Sequence, residues 1–137
     1  MTYRFTLNIE PRGQKRDRIG VIGGHARSYK DGEQARYEAK IRALLAQDAP
    51  PVPIEGPVEL SIICYLPVPV SWSKKKRNLA SFGLVRPLSK PDVDNAAKGI
   101  MDCMNGLIWR DDKQVVTLTA AKHYNDNPHW EITVKEI

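Results

Sequence analysis

Alternating apolar and polar residues predict the strands of this chain. Residues 3–9 alternate in this way, which indicates a strand with one buried face, and residues 58–66 form a dense apolar run typical of a central strand. Two further alternating segments flank a turn at residues 125–128 and therefore predict a C-terminal hairpin. The apolar positions of this hairpin are Val116, Leu118, Ala120, Trp130, Ile132 and Val134.

Two segments show the periodicity of amphipathic helices. The first covers residues 33–47. The second begins at Asp92 or Asp94, either of which can cap a helix, and ends at Asn105 and Gly106, where glycine tolerates a left-handed backbone. The apolar positions are Ala35, Ala39 and Leu44 in the first helix and Val93, Ala97, Ile100 and Met104 in the second.

The segments between these elements are rich in glycine, proline and basic residues. Residues 11–32 contain several glycines and predict a loop or a mobile hairpin, whereas residues 71–90 predict a loop with one helical turn. The prolines within residues 50–53 form a connector that is too short to separate two domains. The pattern therefore predicts one α+β domain over residues 1–137, in which a small mixed or antiparallel sheet with a C-terminal hairpin packs against two main helices.

The net charge of +5 is concentrated in two segments. Residues 1–30 carry seven basic residues and two acidic ones, and residues 71–90 carry six basic residues and no acid. Such segments suit a phosphate backbone, because each Lys or Arg contact releases counterions. The alternative is a solvated face and a solubilising loop, and the composition leaves both open. The residues predicted to contact DNA are Arg12, Lys15, Arg16, Arg18, Lys74, Lys75, Lys76, Arg77 and Lys90.

The sequence has no signal for secretion or membrane insertion. It lacks both an uncharged apolar run of about 18 residues and an apolar signal segment at its N-terminus, so we expect the protein in the cytoplasm. Cys64 and Cys103 lie among apolar neighbours without C-x-x-C spacing, which predicts reduced thiols in the core. His25, His123 and His129 lack ligand spacing, so a zinc site is not expected. No small-molecule cofactor is expected either.

The acidic residues of the second predicted helix, and of the turn after it, are the strongest chemical signal. Asp94, Lys98 and Asp102 recur at i, i+4 and i+8, which holds them one helical turn apart on an exposed face. Asp92 and Asp94 at the helix start, joined by Asp112 from a separate turn, would form the oxygen-rich site that Mg²⁺ prefers. Such an ion activates water and neutralises charge on a phosphate, and a neighbouring lysine can stabilise the pentacovalent transition state.

Each of these residues also has an ordinary structural interpretation. Aspartates at a helix start often serve only as caps, Asp94 and Lys98 can form a surface ion pair, and Asp111 and Asp112 can form a turn. These interpretations do not explain why four aspartates and a lysine fall at two nearby places in a basic protein. If residues 111 and 112 are extended, their side chains point to opposite faces, so only one of them is expected to reach a metal.

One continuous pattern extends from Lys90 to Val115 and reads K-P-D-x-D-N-x-x-K-x-x-x-D-x-x-N-G-x-x-W-x-D-D-x-Q-V. This long pattern of mixed residue types resembles the RusA family of Holliday junction endodeoxyribonucleases. Weaker similarity covers nearly the whole chain. It includes Lys15 and Arg16, the apolar strand at residues 58–66, and the S-x-S-K-K-K-R stretch at residues 71–77.

The resemblance implies a homodimeric α+β nuclease with a RusA-like fold. Such an enzyme requires Mg²⁺, with Mn²⁺ as an alternative ion, and resolves four-way junctions in branched DNA by two symmetric nicks. The essential acidic residues of the family fall on Asp92, Asp94 and Asp112, and its essential lysine falls on Lys98. Asp111 is a fourth acid beside the expected metal site.

The chain departs from the family pattern at one position. No aromatic residue directly precedes Asp92, where some relatives could wedge a base step. Unstacking of a base would therefore need another side chain, for which Trp72 and Phe82 are candidates.

The expected dimer also follows from the substrate. A four-way junction must be cut twice, whereas a domain of this size has room for one active site. A C₂ dimer would place two equivalent sites across the approximate two-fold axis of the junction. The sequence does not indicate which surface forms the dimer.

Two other functions stay open on the residues. One is a non-catalytic nucleic-acid-binding module in which the acids only cap and solvate. The other is a different magnesium phosphotransferase with a D-x-D motif. Against the second, Asp92 follows Leu88-Ser89-Lys90-Pro91, whereas a D-x-D phosphatase places its first aspartate at the end of an apolar parallel strand.

Overall fold

The computed structural model describes residues 1–15, 18–29 and 31–137. Within these ranges the strands are β1 (Thr2–Leu7), β2 (Arg18–Ile22), β3 (His25–Tyr29), β4 (Val58–Leu66), β5 (Val115–Tyr124) and β6 (His129–Glu136). The helices are α1 (Gly32–Ala46), α2 (Lys74–Ser81) and α3 (Val93–Met104), and a short 3₁₀ helix covers Asp112–Gln114. These elements confirm the predicted α+β class. None of the described helices is long and apolar enough to cross a membrane.

The main sheet contains its strands in the order β1-β6-β4-β5. β4 pairs in parallel with β5 and antiparallel with β6, and β1 pairs antiparallel with β6. The sheet is therefore mixed, and the apolar run at residues 58–66 forms an interior strand, as predicted. A parallel pair needs a long crossover connection, and here the connection contains α2 and α3.

The C-terminal strands β5 and β6 are present with a short connection at residues 125–128, in which the Asn127 amide donates to Asn125 Oδ1 at 2.8 Å. Both strands bond to β4, which lies between them. In this register Tyr65 lies between His123 and His129. The predicted strand–turn–strand unit is thus correct. That β4 lies between its two strands could not be predicted from the alternation of apolar and polar residues.

The N-terminal part also agrees with the predicted pattern. The strand expected at residues 3–9 covers Thr2–Leu7 and buries Phe5 and Leu7. β2 and β3 form a separate antiparallel hairpin within the segment predicted as a loop or hairpin. Gly23 and Gly24 at its turn have φ values of 59° and 80°, which glycine adopts at little cost.

One face of the main sheet packs against α1 and α3. Alternate residues of β4 and β6 are buried, among them the completely buried Trp130. Trp130 Nε1 donates to Tyr37 Oη at 3.1 Å, and Tyr37 Oη donates to the Glu10 carbonyl at 2.7 Å. Burial raises the pKa of Tyr37 to about 12, so its phenol keeps its proton at neutral pH. Each fully buried large apolar side chain stabilises the fold by about 1.5–3 kcal/mol.

The buried face of α1 differs from the predicted one. Ala35 and Ala39 are exposed, and Leu44 is only partly buried. The face that packs on the core contains larger side chains, and its members are Gln34, Tyr37, Glu38, Ile41 and Leu45. The polar Gln34 is accommodated because its Oε1 accepts a hydrogen bond from the Lys15 amide at 3.2 Å. The prediction was wrong because buried polar residues interrupt the apolar pattern.

Helix α3 begins and ends where the sequence predicted. Asp92 is its N-cap, and the residue with a left-handed backbone after its end is Gly106, with a φ of 75°. Trp109 Nε1 donates to Asn105 Oδ1 at 2.7 Å and so fixes this end. The buried residues are Ala96, Ala97, Ile100, Cys103 and Met104, whereas Val93, which was expected in the buried stripe, is exposed.

Both cysteines are free and buried, as predicted. Burial raises the pKa of the Cys64 thiol to about 12, so it stays protonated at neutral pH. A neutral thiol in the core acts as a small apolar side chain.

The basic segment around residue 75 forms a two-turn helix, α2, where the sequence predicted only a helical turn in a loop. Ser73 caps it by accepting a hydrogen bond from the Lys76 amide at 3.3 Å. Trp72 packs edge-on against Tyr124, with ring centroids 5.2 Å apart, and Lys76 Nζ lies 3.9 Å from the Trp72 ring centroid. Together with the buried Ala80, these contacts attach α2 to a second, smaller apolar cluster.

Candidate active site

A surface pocket of about 490 Å³ lies between α3, the 3₁₀ helix and β5. Its polar side consists of Asp94, Lys98 and Asp112. Its apolar side consists of Val93, Ala97, Met101, Leu118 and Ala120. These residues come together because of the crossover between the parallel strands β4 and β5. The residues before β5 return to the face of the sheet on which α3 packs.

Asp92 lies in an adjoining pocket of about 750 Å³. Lys90, Arg12, Lys15 and Asn95 also line this second pocket. Although Asp92 is the N-cap of α3, its carboxylate makes no capping hydrogen bond. Asp92 therefore occupies the cap position, but its carboxylate does not cap the helix and is exposed. The two pockets flank the first turn of α3, with Asp92 in one and Asp94 in the other.

Asp111 and Asp112 have different surroundings. Asp111 caps the 3₁₀ helix, because its Oδ2 accepts a hydrogen bond from the Lys113 amide at 3.0 Å. Gln114 Oε1 accepts in return from the Asp111 amide at 3.0 Å, which completes a capping box. Asp112 lines the 490 Å³ pocket instead. Asp111 has an extended backbone and Asp112 begins the 3₁₀ helix, so only one of the two adjacent acids lines the pocket.

Gln114 also anchors the 3₁₀ helix to the neighbouring chain. Its Nε2 donates to the carbonyls of Ile54 and Gly56, at 2.8 and 2.9 Å. These bonds fix the segment that carries Asp112. Sequence reasoning did not identify Gln114, although its spacing of three residues from Asp111 is that of a capping box.

Lys98 forms an ion pair with Asp102, with 3.6 Å between Nζ and Oδ2. The surface ion pair considered from the sequence, between Lys98 and Asp94, is not the one that forms. Asp102 Oδ2 also accepts a hydrogen bond from Gln14 Nε2 at 2.8 Å. Gln14 had no signal in the sequence, because its partner lies 88 residues further along the chain.

The residues of the first pocket fit a divalent metal. Mg²⁺ is usually held by one or two carboxylates together with waters and substrate phosphates, and Asp94 and Asp112 supply such oxygens. Among the described residues, no three acidic, histidine or cysteine side chains come close enough to hold an ion by themselves. Asp92 lines the adjoining pocket, so it is not one of the carboxylates of the first pocket.

The basic residues of the N-terminal loop are engaged with acids at the start of α1. Lys15 Nζ lies 2.8 Å from Glu33 Oε2 and 3.6 Å from Asp31 Oδ2, and Arg12 Nη1 lies 3.5 Å from Glu33 Oε1. The hydrogen bond with Glu33 raises the pKa of Lys15, and the same bond lowers the pKa of Glu33. The Arg12 guanidinium also lies 5.1 Å from the centre of the Tyr37 ring.

The basic residues of α2 have fewer acidic neighbours. Lys74, Lys75 and Lys76 are exposed, and no ion pair involves them among the described residues. Arg77 Nη1 donates to the Pro69 carbonyl at 3.3 Å. These four positive charges therefore have no acidic partner in the described part of the chain.

The remaining predicted DNA contacts are in different situations. Lys90 is exposed and lines the pocket of Asp92. Arg18 begins β2, but its side chain is outside what the structure describes, and Arg16 lies outside the described residues altogether. Of the two candidate aromatic wedges, Trp72 is packed against Tyr124, whereas Phe82 is 79% exposed.

Comparisons with known proteins identify the class to which this chain belongs. The family described as Endodeoxyribonuclease RusA matches residues 8–135. The "Uncharacterized protein YqaN" of Bacillus subtilis (strain 168) is 41% identical over 137 residues, which cover 98% of this chain and 96% of that protein. The match makes the protein an endodeoxyribonuclease by class. The chain belongs to the RusA endodeoxyribonuclease family, as its 90–115 pattern predicted.

Membership of this family implies a nuclease activity that resolves Holliday junctions. RusA nucleases generally depend on a divalent metal. The first pocket combines two carboxylates and a lysine, and basic residues line the adjoining pocket.

Proposed function

We propose that this protein is a Mg²⁺-dependent endodeoxyribonuclease that resolves four-way DNA junctions by paired symmetric nicks in recombination and repair. The observation that carries the proposal is the meeting of Asp94, Lys98 and Asp112 at one pocket in a chain of the RusA family. Hydrolysis of a phosphodiester needs a metal-binding site and a positive charge beside it, and this pocket offers both.

In this proposal the aspartates hold the metal and the substrate phosphate. Asp94 and Asp112 would bind Mg²⁺, with Mn²⁺ as an alternative, and Asp92 would complete the site from the adjoining pocket. The bound ion would supply an activated water and neutralise charge on the phosphate. Asp111 remains a structural cap. Lys98, within the same pocket, would donate a hydrogen bond to a phosphate oxygen as negative charge develops there.

The apolar side of the pocket has a role in the same proposal. Val93, Met101 and Leu118 lie beside the acids, so they would contact the deoxyribose of the nucleotide whose phosphate is cut. An exposed apolar surface at an acidic site is otherwise unfavourable. Phe82, exposed on the segment after α2, is the better candidate for contacting an unstacked base, because Trp72 is held in packing.

The basic residues would bind the backbone of the junction arms. Lys90, Arg12 and Lys15 line the pocket next to the acids and would contact phosphates near the cut. The cluster of α2 would contact phosphates further away, because phosphate contacts position a protein without reading sequence. Arg16 and Arg18 belong to the same N-terminal basic segment and are proposed as contacts on sequence grounds.

The described residues form one pocket that combines these acids and a lysine, so two nicks would require two copies of the chain. We therefore propose a homodimer as the active form, with one site for each of two strands. The site of action would be the cytoplasm of a bacterium, encoded by the host or by a phage. The relative from Bacillus subtilis supports a bacterial setting.

The decisive experiment uses a labelled mobile four-way junction with and without Mg²⁺. The proposal expects two nicked duplexes only when the metal is present. Binding that is the same with and without metal, with no cleavage, would indicate a non-catalytic binding module. Release of phosphate from nucleotides without junction cleavage would indicate a different phosphotransferase. Asp111→Asn serves as the matched control for Asp112→Asn, because the two acids are adjacent and only Asp112 lines the pocket.

A further inference from the structure

Lys98 stands between two acids on the same face of α3. Asp94 lies four residues before it and Asp102 lies four residues after it, so the ammonium could pair with either side chain. In the structure it pairs with Asp102 at 3.6 Å. The side chain of Lys98 is 67% exposed and that of Asp102 is 29% exposed. An exposed pair of this kind is weak by itself, so a second contact is needed to fix the choice.

Gln14 supplies that second contact. Its Nε2 donates to the same Asp102 oxygen that faces Lys98, at 2.8 Å. Its backbone carbonyl accepts a hydrogen bond from Asn95 Nδ2 at 3.2 Å. The carboxylate of Asp102 is therefore oriented from a loop that is itself attached to α3.

The close approach of this loop to α3 involves Gly13. A side chain at Gly13 would collide with the side-chain Nδ2 of Asn95, which donates to the Gln14 carbonyl, and would stand 3.2 Å from Pro91 Cβ. The absence of a side chain at Gly13 therefore leaves room for the loop that carries Gln14.

We propose that Asp102, oriented by Gln14, is a positioning residue that holds Lys98 away from Asp94. Asp94 then stays available to a divalent metal, and Lys98 stays beside the phosphate. Without Asp102, the nearest acid on the helix face is Asp94, and an ion pair between Lys98 and Asp94 competes directly with metal binding. The inference rests on the proposed metal-dependent function and adds two residues to it.

The first test measures metal binding without DNA, so that it does not depend on turnover. Mg²⁺ and Mn²⁺ binding to the full chain is followed by calorimetry for the wild type, Asp102→Asn, Lys98→Ala and the double variant. Asp102→Asn should weaken binding by about tenfold, the scale typical of residues that support metal ligands. In the Lys98→Ala background the same substitution should have a much smaller effect, because the competing ammonium is gone and only the general loss of negative charge remains.

This double-mutant cycle distinguishes the proposed role of Asp102 from a general effect of removing negative charge. Removal of any nearby negative charge also weakens cation binding, but that effect would persist when Lys98 is absent. An equal loss in both backgrounds would overturn the proposal. Asp48→Asn is the matched control, since Asp48 is an exposed acid after α1 with no ion pair among the described residues. Gln14→Ala should act in the same direction as Asp102→Asn, to a smaller extent, and should also lose its effect in the Lys98→Ala background.

The second test uses cleavage of a four-way junction. Asp102→Asn should lower the maximal cleavage rate at limiting Mg²⁺ with little change in junction affinity, and excess Mg²⁺ should restore the rate by displacing Lys98 from Asp94. A purely structural role predicts a lower melting temperature and no rescue by metal. If the wild-type protein binds metal as expected but never cuts junctions, the proposed function is wrong. The metal-binding measurements on the four proteins would still test the role of Asp102.

Discussion

The pocket beside α3 and the turn that precedes β5 use aspartates in opposite ways. In the turn, Asp111 accepts a backbone hydrogen bond at 3.0 Å and shares a capping box with Gln114. In the pocket, Asp94 and Asp112 face Lys98 and an apolar surface, without a comparable backbone partner among the described residues. The comparison teaches that two adjacent acids of one motif can differ in their surroundings, because the side chain of one caps a helix and the side chain of the other lines a pocket.

The two basic segments show a similar contrast. Lys15 and Arg12 in the N-terminal loop contact Glu33, whereas the lysines of α2 have no ion pair in the described part of the chain. A charge that already has an acidic partner must exchange it for a phosphate, and this exchange reduces the gain on binding. The two segments are therefore expected to contribute differently to DNA affinity, although their compositions are similar.

The largest effect is expected from the acids assigned to the metal. Asp92→Asn, Asp94→Asn and Asp112→Asn should each lower junction cleavage by about 10³-fold, because loss of metal ligation removes several kcal/mol of transition-state stabilisation. Junction binding should survive or tighten, since each variant removes negative charge near phosphates. Single-turnover cleavage and gel-shift assays measure both quantities. Near-full cleavage by two of the three variants would contradict the assignment.

The next effect concerns Lys98. Lys98→Ala should lower the cleavage rate by about 10²-fold with little change in affinity, because its contact strengthens in the transition state. If Lys98 were only a surface partner of Asp102, the loss would be about 0.3–0.5 kcal/mol of stability. Normal turnover of this variant would show that the pocket does not use the lysine.

A mixed dimer tests whether two pockets act together. A dimer of wild-type and Asp94→Asn chains should make one nick per binding event, and a cruciform plasmid should give nicked circles instead of linear DNA. The physical reason is that each subunit reaches one strand of the junction. Full linearisation by the mixed dimer, or sedimentation of the active protein as a monomer on DNA, would contradict the homodimer.

A smaller effect should distinguish the two basic segments. Neutralising Lys74, Lys75, Lys76 and Arg77 together should weaken junction and duplex binding alike and reduce the salt slope by about 3–4, or roughly 0.9 for each lost phosphate contact. Neutralising Arg12 and Lys15 should change the slope less per residue, because both contact Glu33. An unchanged slope in the first variant would identify α2 as a solubilising surface.

The smallest effect is expected at the capping acid. Asp111→Ala should lower the free energy of unfolding by about 1 kcal/mol, the usual value of a lost cap. Cleavage should be nearly unchanged, because Asp112 keeps its place through Gln114. Denaturant unfolding and a cleavage assay on the same preparation test this pair of results. A large loss of cleavage at wild-type stability would place Asp111 in the chemistry.

The sequence by itself determined the features that depend on neighbours along the chain. Helical periodicity put Asp94, Lys98 and Asp102 on one face of α3, and Asn105-Gly106 marked its end. The apolar run at residues 58–66 gave β4 with its correct bounds. The 90–115 pattern indicated the family, because its spacing is local and long enough to be specific. Local geometry repeats every 3.6 or 2 residues, so such features can be predicted without knowledge of packing.

Only the tertiary structure decided which of these residues meet. β4 inserts between β5 and β6, and the buried face of α1 contains Gln34 and Glu38 in place of its alanines. The Asp102 oxygen that pairs with Lys98 also accepts a hydrogen bond from Gln14, which lies in a loop 88 positions away. Asp112 lines the same pocket as Asp94 because the parallel strand pair brings the start of β5 beside α3. Partners distant in sequence are chosen by the packing of whole elements, and a local pattern fixes the period of an element without fixing what it packs against.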